Sequence, residues 1–209
     1  MMKAISAIFL TIALALMVPF SANANLITNG SFEDPDIPTG TWQVLNSIPG
    51  WATSFGPGIE IQDHVAGSPY AGNQHVELDS HANSGMIQTA ITTFQGQQYT
   101  LSFAYSPRPG VAATSNGIEL YFDNVLIDSF TASGIGLGDT AWSIRSYTLT
   151  ATRTSSLLEF RAVGSNDSLG GYLDDVKFDV SAVPEPCTLL LFGSGLVGLI
   201  FGFKRKLKK

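Results

Sequence analysis

The stretch His75-Val76-Glu77-Leu78-Asp79 sets an imidazole and two carboxylates at alternate positions, interleaved with aliphatic residues. On an extended chain successive side chains point to opposite faces, so His75, Glu77 and Asp79 share one face and Val76 and Leu78 the other. Residues two apart on a strand stand about 6.5–7 Å apart at the backbone. At that spacing Glu77 and Asp79 could divide the acid and base roles of a glycan hydrolase. The same trio also suits plain recognition, because a pyranose ring presents apolar C–H faces to aromatic side chains and hydroxyl edges to polar forks. Candidates for that role are Trp51, Tyr70, Asn73 and Arg108, joined by Trp42, Trp142, Gln74 and Glu60. Arg108 sits in Ser106-Pro107-Arg108-Pro109-Gly110, where two prolines stiffen the loop around a guanidinium suited to carboxylates or diols. No G-x-S-x-G elbow, H-E-x-x-H helix, P-loop or dinucleotide fingerprint occurs. Binding without catalysis is therefore the favoured reading.

The elements that position these residues are strands. Tyr99, Leu101, Phe103 and Tyr105 alternate with Thr100, Ser102 and Ala104, the clearest period-two run in the chain. Shorter runs of the same kind centre on Ile59 and Ile61, Val76 and Leu78, Ile87 to Ile91, Ile118 to Phe122, Tyr147 and Leu149, Leu158 to Ala162, and Val176 and Phe178. Asp123-Asn124 supplies a tight hairpin between Leu120-Tyr121-Phe122 and Val125-Leu126-Ile127. No helical period persists over three turns and no internal repeat appears. Eight or nine strands in about 160 residues, the size of one domain, predict an all-β, antiparallel two-sheet sandwich of the jelly-roll kind.

Both ends of the chain differ from this body. Lys3 and the apolar run Ala4 to Val18 precede Ala22-Asn23-Ala24, the pattern of a signal peptide over residues 1–24 cut by signal peptidase. The domain then spans residues 25–183, with sixteen acidic against five basic residues, a net −11 that exceeds the −6 of the whole chain. Such a surface repels phosphate backbones, so nucleic acid is excluded as a partner. It contains no cysteine, since Cys187 is the only one, and export without disulfides leaves packing or metal to hold the fold. After Val183 come Pro184-Glu185-Pro186, an apolar stretch over residues 187–203, and the basic cluster 204–209. That order predicts a transmembrane helix whose basic end stays cytoplasmic.

The tail VPEPCTLLLFGSGLVGLIFGFKRKLKK resembles the PEP-CTERM sorting signal, with Cys187 in place of the usual Ser or Ala. The resemblance implies processing near Pro184, Glu185 and Pro186 by an exosortase in a Gram-negative bacterium. The route would be export by the Sec pathway, a transient inner-membrane anchor, then release to the cell surface or extracellular matrix.

The opening Asn29-Gly30-Ser31-Phe32-Glu33 and the closing Tyr172-Leu173-Asp174-Asp175-Val176 resemble the first and last strands of galactose-binding-like jelly rolls. That likeness implies a structural Ca²⁺ held by Glu33 and Asp174, with carbonyl oxygens near Ser31 and before Trp51. The stretches Ile48-Pro49-Gly50-Trp51, Gly72-Asn73-Gln74-His75-Val76-Glu77-Leu78-Asp79 and Asp167 to Val176 further resemble a cell-wall-associated family of unknown function. It implies association with exopolysaccharide in a biofilm. Two alternatives stay open: a protein-binding structural or adhesion component of the matrix, and the hydrolase that uses Glu77 and Asp79.

Overall fold

The computed structural model describes residues 25–181, in which the chain forms β1 (Trp42–Leu45), β2 (Ser47–Ile48), β3 (Trp51–Phe55), β4 (Ile59–Gln62), β5 (His75–Glu77), β6 (Gly85–Thr92), β7 (Gln98–Ser106), β8 (Gly117–Phe122), β9 (Val125–Phe130), β10 (Ser143–Thr150), β11 (Ser155–Val163) and β12 (Tyr172–Val180). Two six-stranded sheets result. One has the order β1-β4-β5-β12-β7-β10 and the other β2-β3-β6-β11-β8-β9, and every pairing is antiparallel. The last eight strands fall four to a sheet, β5-β12-β7-β10 facing β6-β11-β8-β9, which is the strand order of an eight-stranded jelly roll. The expected all-β sandwich is therefore present. Within the described residues no helix is long and apolar enough to cross a membrane. The expected signal peptide, sorting tail and transmembrane helix lie outside the described residues.

Alternation built this core. Tyr99, Leu101, Phe103 and Tyr105 on β7 are buried, and Phe103 meets Phe160 of the opposite sheet edge-on at 4.9 Å between ring centroids. The hairpin at Asp123-Asn124 takes positive φ at both residues, 52° and 66°, as the twist of a two-residue connection demands.

Three details depart from a plain period-two reading. The segment 42–55, where no period-two run stands out, forms three short strands, of which β1 and β3 bury little of their length. On β6, Met86 rather than Ile87 enters the core, and the phase shifts at Ala90, whose φ is 59°, so that Ile91 also points inward. On β12 a bulge between Asp174 and Lys177, with Asp175 at φ 49°, lets Leu173 and Val176 both face the core.

Candidate functional site

The outer face of the first sheet carries a polar row that its register assembles. Gln62 on β4 stands opposite Trp42 on β1 and opposite His75 on β5. Glu60 stands opposite Val44 and Glu77, Glu77 opposite Tyr172, and Tyr172 opposite Ser106. The intervening Ile61, Val76 and Leu173 point into the core. His75 and Glu77 thus share a face as the alternation predicts.

Hydrogen bonds knit this row. The Gln62 amide Nε2 donates to Glu60 Oε1 at 2.8 Å and to Glu77 Oε2 at 2.6 Å. Two carboxylate acceptors fix the orientation of that amide, which leaves its Oε1 over. Arg108 donates through Nη1 to the same Glu77 oxygen, and the Gly170 amide donates to Glu77 Oε1 at 2.5 Å. Burial, with Glu60 adding repulsion, pushes the Glu77 carboxyl up to about 8 despite Arg108. Burial raises Glu60 as well.

His75 is fully buried, its ring 4.4 Å from that of Tyr172 and 5.7 Å from that of Trp142. Burial drives its pKa down to about 3, so the imidazole is neutral and offers one donor and one acceptor. Neither ring nitrogen has a partner, and neither does Gln62 Oε1 across the strand pair. Leaving buried polar atoms unpaired costs about 1–3 kcal/mol each. Three of them on two facing residues mark a place built to meet hydroxyl or water oxygens.

A strap, residues 63–74, covers this row. Tyr172 Oη donates to Ala66 O at 3.1 Å and Trp142 Nε1 to Ser68 O at 2.9 Å, while Ser68 donates from N and Oγ to Asp139 at 2.7 and 2.9 Å. Its far half is held by the two residues expected to share calcium. Asp174 Oδ2 accepts from the amides of Tyr70 and Ala71 at 2.8 and 2.9 Å, and Glu33 Oε1 from those of Asn73 and Gln74 at 2.9 and 3.0 Å. Gly72 between them has φ 66°, and a Cβ there would fall 2.3 Å from Glu33 Oε1. A calcium shell is completed by carbonyl and carboxylate oxygens. Around Glu33 and Asp174 the strap presents N–H groups, the opposite polarity, and Ser31 merely closes a turn before them. Among the described residues no three acidic, imidazole or thiol side chains gather to hold a metal. This donor set does not match a shared Ca²⁺.

Other predicted residues are also reassigned. Trp51 is 2 % exposed and packs between Phe32 and Phe160, so it is a core residue and no sugar platform. Asp79 lies beyond the end of β5, where Oδ2 accepts from the Asp167 amide at 3.2 Å. A Cβ on Gly170 would lie 2.9 Å from Asp79 Cβ and 3.4 Å from Glu77 Cγ. The Gly170 backbone therefore packs against the stems of both side chains. Asn73 serves through its backbone. Tyr70, 45 % exposed, meets Trp142 edge-on at 6.2 Å, and Trp42, 47 % exposed, meets His81 at 5.9 Å. Gln62 and Tyr172 were missed as site residues; only the pairing register reveals them.

Residues 182–206 match the family described as the PEP-CTERM protein-sorting motif. This chain carries that sorting signal. The motif marks an exported protein destined for the cell surface. In sequence, the chain is 30 % identical over 152 residues to a multifunctional-autoprocessing repeats-in-toxin protein of Vibrio cholerae serotype O1, and 27 % identical over 170 residues to halomucin of Haloquadratum walsbyi. The matches cover 73 % and 77 % of this chain but only 3 % and 2 % of those far longer proteins. In structure, the K1 cleaved adhesin domain of Lys-gingipain from Porphyromonas gingivalis W83 superposes with a TM-score of 0.50 at 14 % identity, covering 77 % of this chain and 98 % of that domain. A family 61 carbohydrate-binding module in complex with β-1,4-galactotriose gives 0.48 at 14 % identity over 76 % of this chain and 99 % of the module. The PEP-CTERM chain thus shares its sandwich fold with that adhesin domain.

Proposed function

We propose that this protein is a non-catalytic surface or matrix component whose sandwich binds extracellular polysaccharide through the outer face of the first sheet. The observation that carries the reading is the pair of half-exposed rings, Trp42 and Tyr70, flanking a row in which Gln62 Oε1 and both His75 nitrogens lack partners beneath the strap. Hydroxyls supply both the donors and the acceptors those atoms need, and aromatic faces accept the apolar side of a sugar ring. In this reading the chain leaves by the Sec route in a Gram-negative bacterium, signal peptidase cuts after Ala24, and an exosortase removes the tail near Pro184-Glu185-Pro186. Exopolysaccharide is then the partner met outside.

A glycan array probed with wild type and with a Trp42→Ala/Tyr70→Ala double variant tests the reading. Retention by at least one polysaccharide class that the double variant loses supports it. Indifference of the wild type to every glycan, the producer's own included, overturns it. A second reading, a protein-binding matrix component, draws on exposed apolar residues at two sheet edges, Val125 and Leu126 on β9 and Ile144 on β10. Concentration-dependent self-association unaffected by added glycan would favour it.

A further inference from the structure

The charge balance of the outer face identifies the kind of sugar. Glu60 and Glu77 stand directly opposite each other, and the Arg108 guanidinium forms its ion pair with Glu77. Among the described residues Glu60 forms no ion pair; its neutral partner is the Gln62 amide, which it shares with Glu77. Glu60 is buried but keeps 5 % of its surface exposed, where Glu77 keeps none. Trp42, directly opposite Gln62, is the diagonal neighbour of Glu60 on the same face, about 7–8 Å away at the backbone. Half-exposed and held edge-on by His81, it leaves its ring available beside a carboxyl that, among the described residues, has no direct ion pair. Burial is what raises the Glu60 carboxyl, and the nearby charges of Arg108 and His81 draw it only part of the way back.

These features demand a ligand that is cationic at one point and hydroxylated beside it. We infer that the face takes a sugar with a free amine, its ammonium on Glu60 and Trp42 and its neighbouring hydroxyl on Gln62 Oε1. An ammonium carries three N–H donors and no acceptor, which suits a carboxylate lacking a cation, and it gains further from an aromatic face. A uronate would bring a third carboxylate to a face that already has two, on a domain of net −11. The buried, unpartnered Gln62 Oε1 and His75 nitrogens distinguish the place from a merely acidic patch.

This inference rests on the glycan-binding reading, and the test separates the two. The full chain, purified in mild detergent, is titrated at low salt with a β-1,4-glucosamine hexamer, its fully N-acetylated counterpart, a galacturonate hexamer and hexalysine. The expected result is binding of the glucosamine hexamer about ten-fold tighter than the acetylated one, the weight of one charge-assisted contact, with the uronate weakest. Glu60→Gln should bring the ratio of the first two close to one, whereas Glu60→Asp, which keeps the charge, should preserve it. Equal affinity for the free and acetylated hexamers overturns the inference and leaves the glycan reading standing. Hexalysine binding as tightly as the glucosamine hexamer also overturns it, since the amine alone would then suffice. Failure of every sugar overturns both.

Discussion

Glu33 and Asp174, from opposite ends of the domain, accept amide protons from the two halves of one segment, Tyr70–Ala71 and Asn73–Gln74. Each carboxylate takes two strap amides on one oxygen, and the pair closes the strap over the polar row. Glu33→Gln and Asp174→Asn should each lower unfolding free energy by roughly 1–3 kcal/mol in urea titrations. Because both act on the same segment, the double variant should lose less than the sum.

Calcium gives a second prediction from the same contacts. The four N–H donors answer the charge of Glu33 and Asp174. Millimolar Ca²⁺ in place of a chelator should therefore leave the melting temperature within about 1 °C, since only a ligand that prefers the folded state stabilises it. A rise of several degrees, lost in Asp174→Asn, would place an ion there.

Stability should fall as pH rises from about 6.5 to 8.5. The Glu77 carboxyl is held up to about 8, so the folded state keeps a proton that the unfolded chain has already released, and raising the pH through the folded value removes that advantage. His75, driven down to about 3, acts in the other direction but only below its unfolded value near 6.5. Thermal melts across this range check the slope, and Glu77→Gln should reduce it to the share of Asp174, whose carboxyl burial raises to about 7.

Trp51→Ala and Trp42→Ala should separate packing from recognition. Removing the buried Trp51, lodged between Phe32 and Phe160, should cost about 3–5 kcal/mol. Removing the half-exposed Trp42 should cost well under that in stability yet weaken glycan retention. Paired denaturation and affinity-gel measurements read both effects.

At the hairpin, Asn124 holds φ 66°. Asn124→Gly should raise stability by roughly 0.5 kcal/mol, since glycine adopts that conformation without side-chain strain. Chemical denaturation resolves the change if the slope of the transition is unaltered.

Alternation made the long strands legible: β7, β8 and β11 bury the residues their period predicts. Phase breaks were not legible, because the positive-φ residues Ala90 and Asp175 carry no turn-forming glycine to announce them. The shared face of His75 and Glu77 followed from the same alternation. Its partners Gln62 and Tyr172 lie 15 and 95 residues from Glu77 in the sequence, and pairing across the sheet is fixed only in three dimensions. Trp51 misled for a simpler reason: a tryptophan after Pro49-Gly50 reads as a loop residue until its neighbours Phe32 and Phe160 enclose it.

β12 begins at Tyr172, inside the polar row, and ends at Val180, two residues before the sorting motif starts. Eight steps of about 3.3 Å put roughly 26 Å between them. Asn25, bonded to Val176 and Phe178, keeps the opening of the domain alongside that same strand. A molecule moored by its last residues would therefore hold the face proposed for sugar at arm's length from the mooring, open to the surroundings rather than pressed against the cell.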